Sequence, residues 1–175
     1  MSYVRVYFGS RCGPTDGRGL VRVQAQTSTL HDGLPNLCIK TEFRVFLQAF
    51  VIEDNATIRE NLIGTLEELT CVRVAGTSAT EIDALAWLEG NPWDLVIVDL
   101  FLKQGSGIHL AQCIQRQRPS QKIVVFSNYI NASVRKRCAQ LGVDAVFDKS
   151  TEIDALVDYC AHQCFLISQT QAAAA

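Results

Sequence analysis

From Phe43 onward, short continuous hydrophobic runs alternate with stretches whose apolar positions recur every third or fourth residue. The runs VFLQAFVIED, CVRVAG, LVIVD, KIVVFS and DAVFDK predict strands. Between and after them lie helical patterns. ATIRENLIGTLEEL places Ile58, Leu62, Leu66 and Leu69 on one face, and ATEIDALAWLEG turns Ile82, Leu85 and Ala86 inward before ending at Gly90 and Pro92. GIHLAQCIQRQ is stopped by Pro119 and ASVRKRCAQLG closes on Gly142. The last helix, TEIDALVDYCAHQCFLI, carries Ile153, Leu156, Val157, Cys160 and Cys164 as one stripe. Five strands and five helices in strict alternation predict an α/β fold. It is a doubly wound, five-stranded parallel sheet, because each crossover helix returns the chain to the same edge. The strands are apolar throughout, as strands covered on both faces should be.

The preceding segment has another character. Residues 1–42 mix Gly, Pro, Ser, Thr and Arg with short apolar runs such as YVRVYF and LVRVQ, and carry five basic against three acidic residues. They read as an N-terminal extension with a strand or two at most. Met1 is the only methionine, so the segment is expected to be either a flexible extension or the product of a start assigned too far upstream. Residues 43–167 then form the domain, and 168–175, SQTQAAAA, a C-terminal tail.

Composition narrows the function classes. A chain of 175 residues with 48% hydrophobic content supports one ordinary domain, and a net charge of -2 argues against a nucleic-acid-binding surface spread over the whole molecule while leaving room for a local basic patch. No run is long and apolar enough to span a membrane and the opening residues lack a secretory signal, so a cytoplasmic protein is expected. Seven cysteines without a CxxC pair are expected to be reduced thiols. Cys160 and Cys164, with His162 between them, would make only a weak metal site. Trp87 and Trp93 are read as packing residues, and His109 as a surface side chain.

Ligands of an open parallel sheet bind beyond the carboxyl ends of its strands, at the switch in strand order. There the first strand ends in Glu53 and Asp54, the third in Asp99, the fourth in Ser127 and the fifth in Lys149. Clustered carboxylates repel one another, and such a group persists comfortably only with a bound cation. Oxygen donors suit Mg²⁺, which takes one or two carboxylates together with phosphate oxygens. A carboxylate can also act as a nucleophile toward phosphorus, while a lysine and a hydroxyl neutralise and bond the transferring oxygens.

These pieces, VIEDN, VIVDL, LKQGSG, VVFSN and AVFDKS in that order, resemble the receiver domain of bacterial two-component response regulators. The resemblance implies the flavodoxin-like (βα)5 receiver fold. It implies that Asp99 is the phosphoacceptor, and that Glu53, Asp54, Asp99 and the Phe101 backbone carbonyl hold Mg²⁺. Ser127 and Lys149 would read the phosphorylated state. It also implies a phosphoryl donor, a histidine kinase or a histidine phosphotransfer protein, and output by binding another protein or passing the phosphoryl group on. With no large block after Ile167, the domain is expected to stand alone, with no nucleic acid or membrane partner and with a homodimer as one option. No separate turnover activity is expected.

The sequence also departs from the family pattern. Lys103 stands where a proline is common, with Gly105 and Gly107 still supplying the turn. Asn128 follows the switch hydroxyl where a small residue is usual. Phe101 and Tyr129 are bulky and would screen an acyl phosphate from water, which slows its loss. The aromatic gauge often found three residues before the lysine is Val146 here, with Phe147 beside it. The basic triplet Arg135, Lys136 and Arg137 is either a solvated helix face or a surface for an acidic partner. Two other classes remain open: a receiver-like interaction module that works without phosphorylation, and a nucleotide- or flavin-binding domain. The second lacks a glycine-rich loop after the first strand, where EDNATIRE stands.

Overall fold

The computed structural model of the chain describes residues 23–29, 35–41, 46–114, 116 and 119–172. The chain divides into two units, Met1–Arg44 and Val45–Ala175. In the first, β1 (Val23–Thr29) and β2 (Pro35–Thr41) pair antiparallel with Val23 opposite Thr41. The run LVRVQ enters β1 at Val23, whereas its first three residues and the run YVRVYF lie outside the described residues.

The second unit is the alternating βα array. Its strands are β3 (Leu47–Ile52), β4 (Val72–Ser78), β5 (Leu95–Val98), β6 (Lys122–Ser127) and β7 (Ala145–Asp148). They form one sheet in the order β4-β3-β5-β6-β7, and every neighbouring pair is parallel. Its helices are α1 (Ala56–Leu69), α2 (Glu81–Gly90), α3 (Gly107–Cys113), α4 (Ala132–Gln140) and α5 (Ile153–Ala172). The strand order reverses between β3 and β5, which opens a crevice at their carboxyl ends.

The period of two along each strand sorts the core into two layers. Phe50 and Ile52, Val96 and Val98, Ile123 and Val125 pack with Ala84 and Leu88 of α2, Leu110 of α3 and Cys138 of α4. Ala49 and Val51, Leu95 and Ile97, Val124 and Phe126 pack with Leu62 and Leu66 of α1 and Leu156 and Cys160 of α5. Trp93 is fully buried in the first layer. Trp87 stacks on Phe50 with ring centroids 4.1 Å apart, over Gly76, where a Cβ would stand 2.8 Å from the indole. Both tryptophans are packing residues, as their sequence context suggested.

Several helical faces are rotated from the sequence expectation. Ile82 is 80% exposed and Ala86 is exposed, while Ala84 and Leu88 are buried. Seating Trp87 against Phe50 turns α2 so that Ala84 and Leu88 point inward. On α1, Leu62 and Leu66 are buried but Leu69 is 61% exposed, because the helix ends there and Thr70 caps it by hydrogen bonding to the Leu66 carbonyl. Helix α3 stops at Cys113 rather than continuing toward Pro119, with Ile114 as its C-cap. Gln115, Gln117 and Arg118 lie outside the described residues. Helix α5 runs past Ile167 to Ala172 and keeps the predicted stripe against the core.

The cysteine expectation needs correction. Cys71, just ahead of β4, forms a disulfide with Cys164 of α5, across a sequence separation of 93. Cys164 is therefore no metal ligand, and the pairing with Cys160 and His162 does not arise. Spacing gives no signal of this bond, since the two residues meet only when α5 lies across the sheet. Among the described residues, no helix is long and apolar enough to cross a membrane.

Candidate functional site

Parity along the strands also builds the site. Glu53 lies two residues after Val51, Asp99 two after Ile97 and Lys149 two after Phe147, each continuing the face that α1 and α5 cover. Ile52 is in register with Val98, so Glu53 and Asp99 leave adjacent strands side by side. Backbone bonds hold this edge: the Asp99 N–H donates to Ile52 O at 3.0 Å, and the Lys149 N–H to Ser127 O at 3.1 Å. The apolar strands thus drive three ionic side chains to one buried point at the end of the sheet.

Lys149 Nζ donates to Asp99 Oδ2 at 2.6 Å and also to Glu53 Oε2. Its side chain is only 6% exposed. Asp54, one residue along, accepts from the Lys103 N–H at 3.1 Å, with Lys103 Nζ 3.6 Å away. One carboxylate oxygen from each of Glu53, Asp54 and Asp99 lies within 4.8 Å of the others. The donor set is three carboxylates, two of them against the buried Lys149 ammonium and the third beside the exposed Lys103. A hard cation with oxygen ligands fits this donor set.

Ser127 ends β6 with its side chain fully buried, and its Oγ has no hydrogen-bond partner. A buried hydroxyl without a partner costs about 1–3 kcal/mol, so a ligand oxygen at this point would remove a penalty. Its neighbours line a cavity of about 200 Å³ that also takes in Glu53, Asp54, Asp99, Phe101 and Lys149. The exposed rings of Phe101 and Tyr129 stand at its margin in edge-to-face contact, centroids 5.3 Å apart.

The loop behind Asp99 is fixed by glycine. Gly107 donates to Leu100 O at 3.1 Å, and a Cβ on it would stand 1.9 Å from the Asp99 carbonyl oxygen. Gly105 adopts φ +97°, which favours glycine. Asn55 starts α1 beside the cavity, its Oδ1 accepting the Thr57 and Ile58 N–H groups at 3.0 and 3.2 Å.

The predicted site residues Glu53, Asp54, Asp99, Ser127 and Lys149 therefore meet in one cavity, with Phe101 at its edge. A residue the sequence did not single out is Glu81, whose Oε2 accepts the Ser106 N–H at 2.7 Å and so ties the start of α2 to the loop after Asp99. At the start of a helix it looks like an ordinary first-turn acid. His109 is on the surface as expected, but paired with Glu81. All three residues of the basic triplet are exposed, and Arg135 in addition donates to Val146 O at 2.6 Å and Glu152 Oε2 at 2.7 Å. The carboxyl of Glu152 is held below its usual value, first because the Asp148 N–H donates to it and then because of Arg135.

The family model described as response regulator receiver domain matches residues 49–161. Response regulator protein VraR of Staphylococcus aureus is 21% identical over 112 residues, which are 64% of this chain and 54% of that protein. The uncharacterized transcriptional regulatory protein YhcZ of Bacillus subtilis is 27% identical over 111 residues, 63% of this chain and 52% of that protein. The chain thus spans about half the length of the curated relatives it matches. A CheY-like response regulator receiver domain protein from Methanospirillum hungatei superposes with a TM-score of 0.61 at 18% identity, covering 73% of this chain and 99% of that one. The BeF3-activated DrrB receiver domain does so at 0.59 and 18%, covering 68% and 97%.

Proposed function

The chain belongs to the response regulator receiver domain family of two-component signalling, and on that premise we propose that it is a phosphorylation switch with Asp99 as the acceptor. The observation that carries the reading is the buried meeting of Asp99 with Lys149, beside the unpartnered Ser127 Oγ and two further carboxylates. An Asp99 carboxylate oxygen attacks the phosphorus of a phosphohistidine on a histidine kinase or phosphotransfer protein. The P–N bond breaks, the imidazole leaves, and an aspartyl phosphate remains. Lys149, already on Asp99 Oδ2, neutralises charge on the incoming oxygens. Ser127 turns its hydroxyl to donate to one of them, the partner it otherwise lacks.

Glu53, Asp54, Asp99 and the Phe101 carbonyl would hold Mg²⁺, directly or through water. The ion supplies Lewis-acid neutralisation of the transferring phosphoryl oxygens. Lys103, through its N–H and ammonium, keeps Asp54 turned to the cavity edge. Phe101 and Tyr129 close the margin against water, which makes hydrolysis of the aspartyl phosphate slow. Output is through a surface whose two states the phosphoryl group biases, with a further protein as reader.

The test is intact-mass measurement of the full chain after incubation with Mg²⁺ and acetyl phosphate, beside Asp99→Ala. A gain of one phosphoryl group, absent from the variant and absent without Mg²⁺, is expected. No gain, under conditions that phosphorylate a control receiver, refutes the reading. It would favour a binding module that works without phosphorylation, the alternative to which Val146 in the gauge position points.

A further inference from the structure

Outside the acidic cavity, a second set of reactive side chains is assembled where α2 begins and α3 runs. Glu81 is the first residue of α2, and His109 and Cys113 are four apart on α3, hence on one face. Glu81 Oε1 pairs with His109 Nδ1, while its other oxygen is fixed by the Ser106 N–H at 2.7 Å. Cys113 Sγ lies against the imidazole, 3.6 Å from His109 Nε2 and 3.9 Å from Nδ1. The carboxyl of Glu81 is held below the usual range, first by the hydrogen bond with His109 and then by the Ser106 N–H. Glu81, bonded to the ring through one oxygen and to the Ser106 N–H through the other, fixes the orientation of the imidazole against which Cys113 Sγ stands.

The order of groups is nucleophile, base and orienting acid, the arrangement that activates a thiol or hydroxyl. Exposure agrees with a reaction from solution. The His109 side chain is 61% exposed and Cys113 is partly exposed, whereas Cys138 and Cys160 are fully buried. Burial pushes the thiols of those two up, that of Cys160 to about 12, which makes them poor nucleophiles.

We propose that Cys113 is a nucleophilic modification site, with His109 as its base and Glu81 as the positioning residue for His109, that forms mixed disulfides with low-molecular-weight disulfides. The reaction is independent of phosphoryl transfer at Asp99. The sulfur of Cys113 attacks one sulfur of RS–SR as its proton passes to His109 Nε2. The reagent's S–S bond breaks, the bond from Cys113 to SR forms, and the leaving RS⁻ takes the proton from the imidazolium. One thiol and one disulfide become one mixed disulfide and one thiol, with no other oxidant.

The experiment follows S-glutathionylation of the full chain by oxidised glutathione near neutral pH, with the adduct assigned to Cys113 by peptide mass spectrometry. Since a free thiol is only a few per cent thiolate near pH 7, a resident base gains on the order of tenfold in rate. His109→Ala and His109→Gln should therefore slow Cys113 by about that factor, added imidazole should recover several-fold of the loss in His109→Ala, and Glu81→Gln should fall between. Retained melting temperatures confirm that the variants fold. A rate in both His109 variants within about twofold of the wild type, or a slow variant that imidazole leaves unchanged, would overturn the proposal.

Discussion

Lys149→Met keeps the length and apolar stem of the side chain and removes its charge. In the folded chain Lys149, Glu53 and Asp99 expose only 6%, 3% and 10% of their side chains, with Asp99 Oδ2 at 2.6 Å from the ammonium. Taking one partner from a buried ionic group costs about 3–5 kcal/mol, mostly because the remaining charges stay desolvated. With a urea slope of about 1.5 kcal/mol/M, the unfolding midpoint should fall by roughly 2–3 M. Two carboxylates facing each other without the lysine then bind a divalent cation more strongly. At a hundredfold excess over the dissociation constant, Mg²⁺ returns about 2.7 kcal/mol. Urea unfolding of wild type and variant, each with EDTA and with Mg²⁺, checks both parts. The variant should lose far more in EDTA and regain more with Mg²⁺ than the wild type. A midpoint loss below roughly 0.5 M in EDTA would mean that the carboxylates are effectively hydrated, and the case for a desolvated charge cluster would fail.

Gly107→Ala must push the Asp99 carbonyl from 1.9 Å to contact distance, so we expect loss of roughly 2 kcal/mol or more and a large fall in acetyl phosphate labelling. A variant with unchanged melting and labelling rate would remove the glycine requirement. Phe101→Ala with Tyr129→Ala opens the cavity margin and should shorten the lifetime of the phosphorylated form several-fold, read by mass against time. An unchanged lifetime would show that the rings do not screen the site. Reducing Cys71–Cys164, which closes a loop of 93 residues, should lower stability by up to about 4.6 kcal/mol, read by urea unfolding with and without phosphine. Alkaline pH should also weaken the fold. Burial lifts Cys160 to about 12, and burial followed by the Asp144 charge lifts Tyr159 to about 12. The unfolded chain ionises these groups from roughly pH 9 to 10 while the folded chain keeps their protons, so stability falls as pH rises from about 9 to 12. Chemical unfolding across that window should show the decline, and Cys160→Ala should flatten it.

Most of the sheet was legible because a doubly covered strand must be apolar throughout, and LVIV or KIVVFS admits few other readings. The site was legible for a related reason: a charged residue at the end of such a run is placed by the strand itself. Glu53, Asp99 and Lys149 sit where parity and register put them. What stayed hidden depends on pairings between distant elements. Cys71 and Cys164 meet only through the docking of α5, and Glu81 reaches Ser106 only because α2 begins beside the loop after Asp99. The inward face of α2 is set by Trp87 stacking on Phe50, which the helical period alone cannot foresee. The bonds of the exposed Arg135 stayed hidden because its partners, Val146 O and Glu152, lie on β7 and just before α5.

The two aromatic questions raised by the sequence, Val146 and Phe147, have one structural answer. Lys149 must share the face of Phe147, two residues earlier, to reach Asp99 and Glu53. Phe147 is therefore committed to the α1 and α5 layer, where it meets Tyr159 edge-on at 5.8 Å. Val146 necessarily faces the other layer, alongside Val134 and Ile130. Bringing Phe147 to that face would take a one-residue slip of β7, and the same slip would turn Lys149 away from Asp99. The position that would carry an aromatic gauge thus holds a side chain too small to swing between two rotamers across the sheet edge. What links β7 to α4 on that side is Arg135, bonded at once to the Val146 carbonyl and to Glu152. A shift of α4 relative to the site has to break or carry this guanidinium, whose two bonds are short and partly exposed, rather than rotate a buried ring.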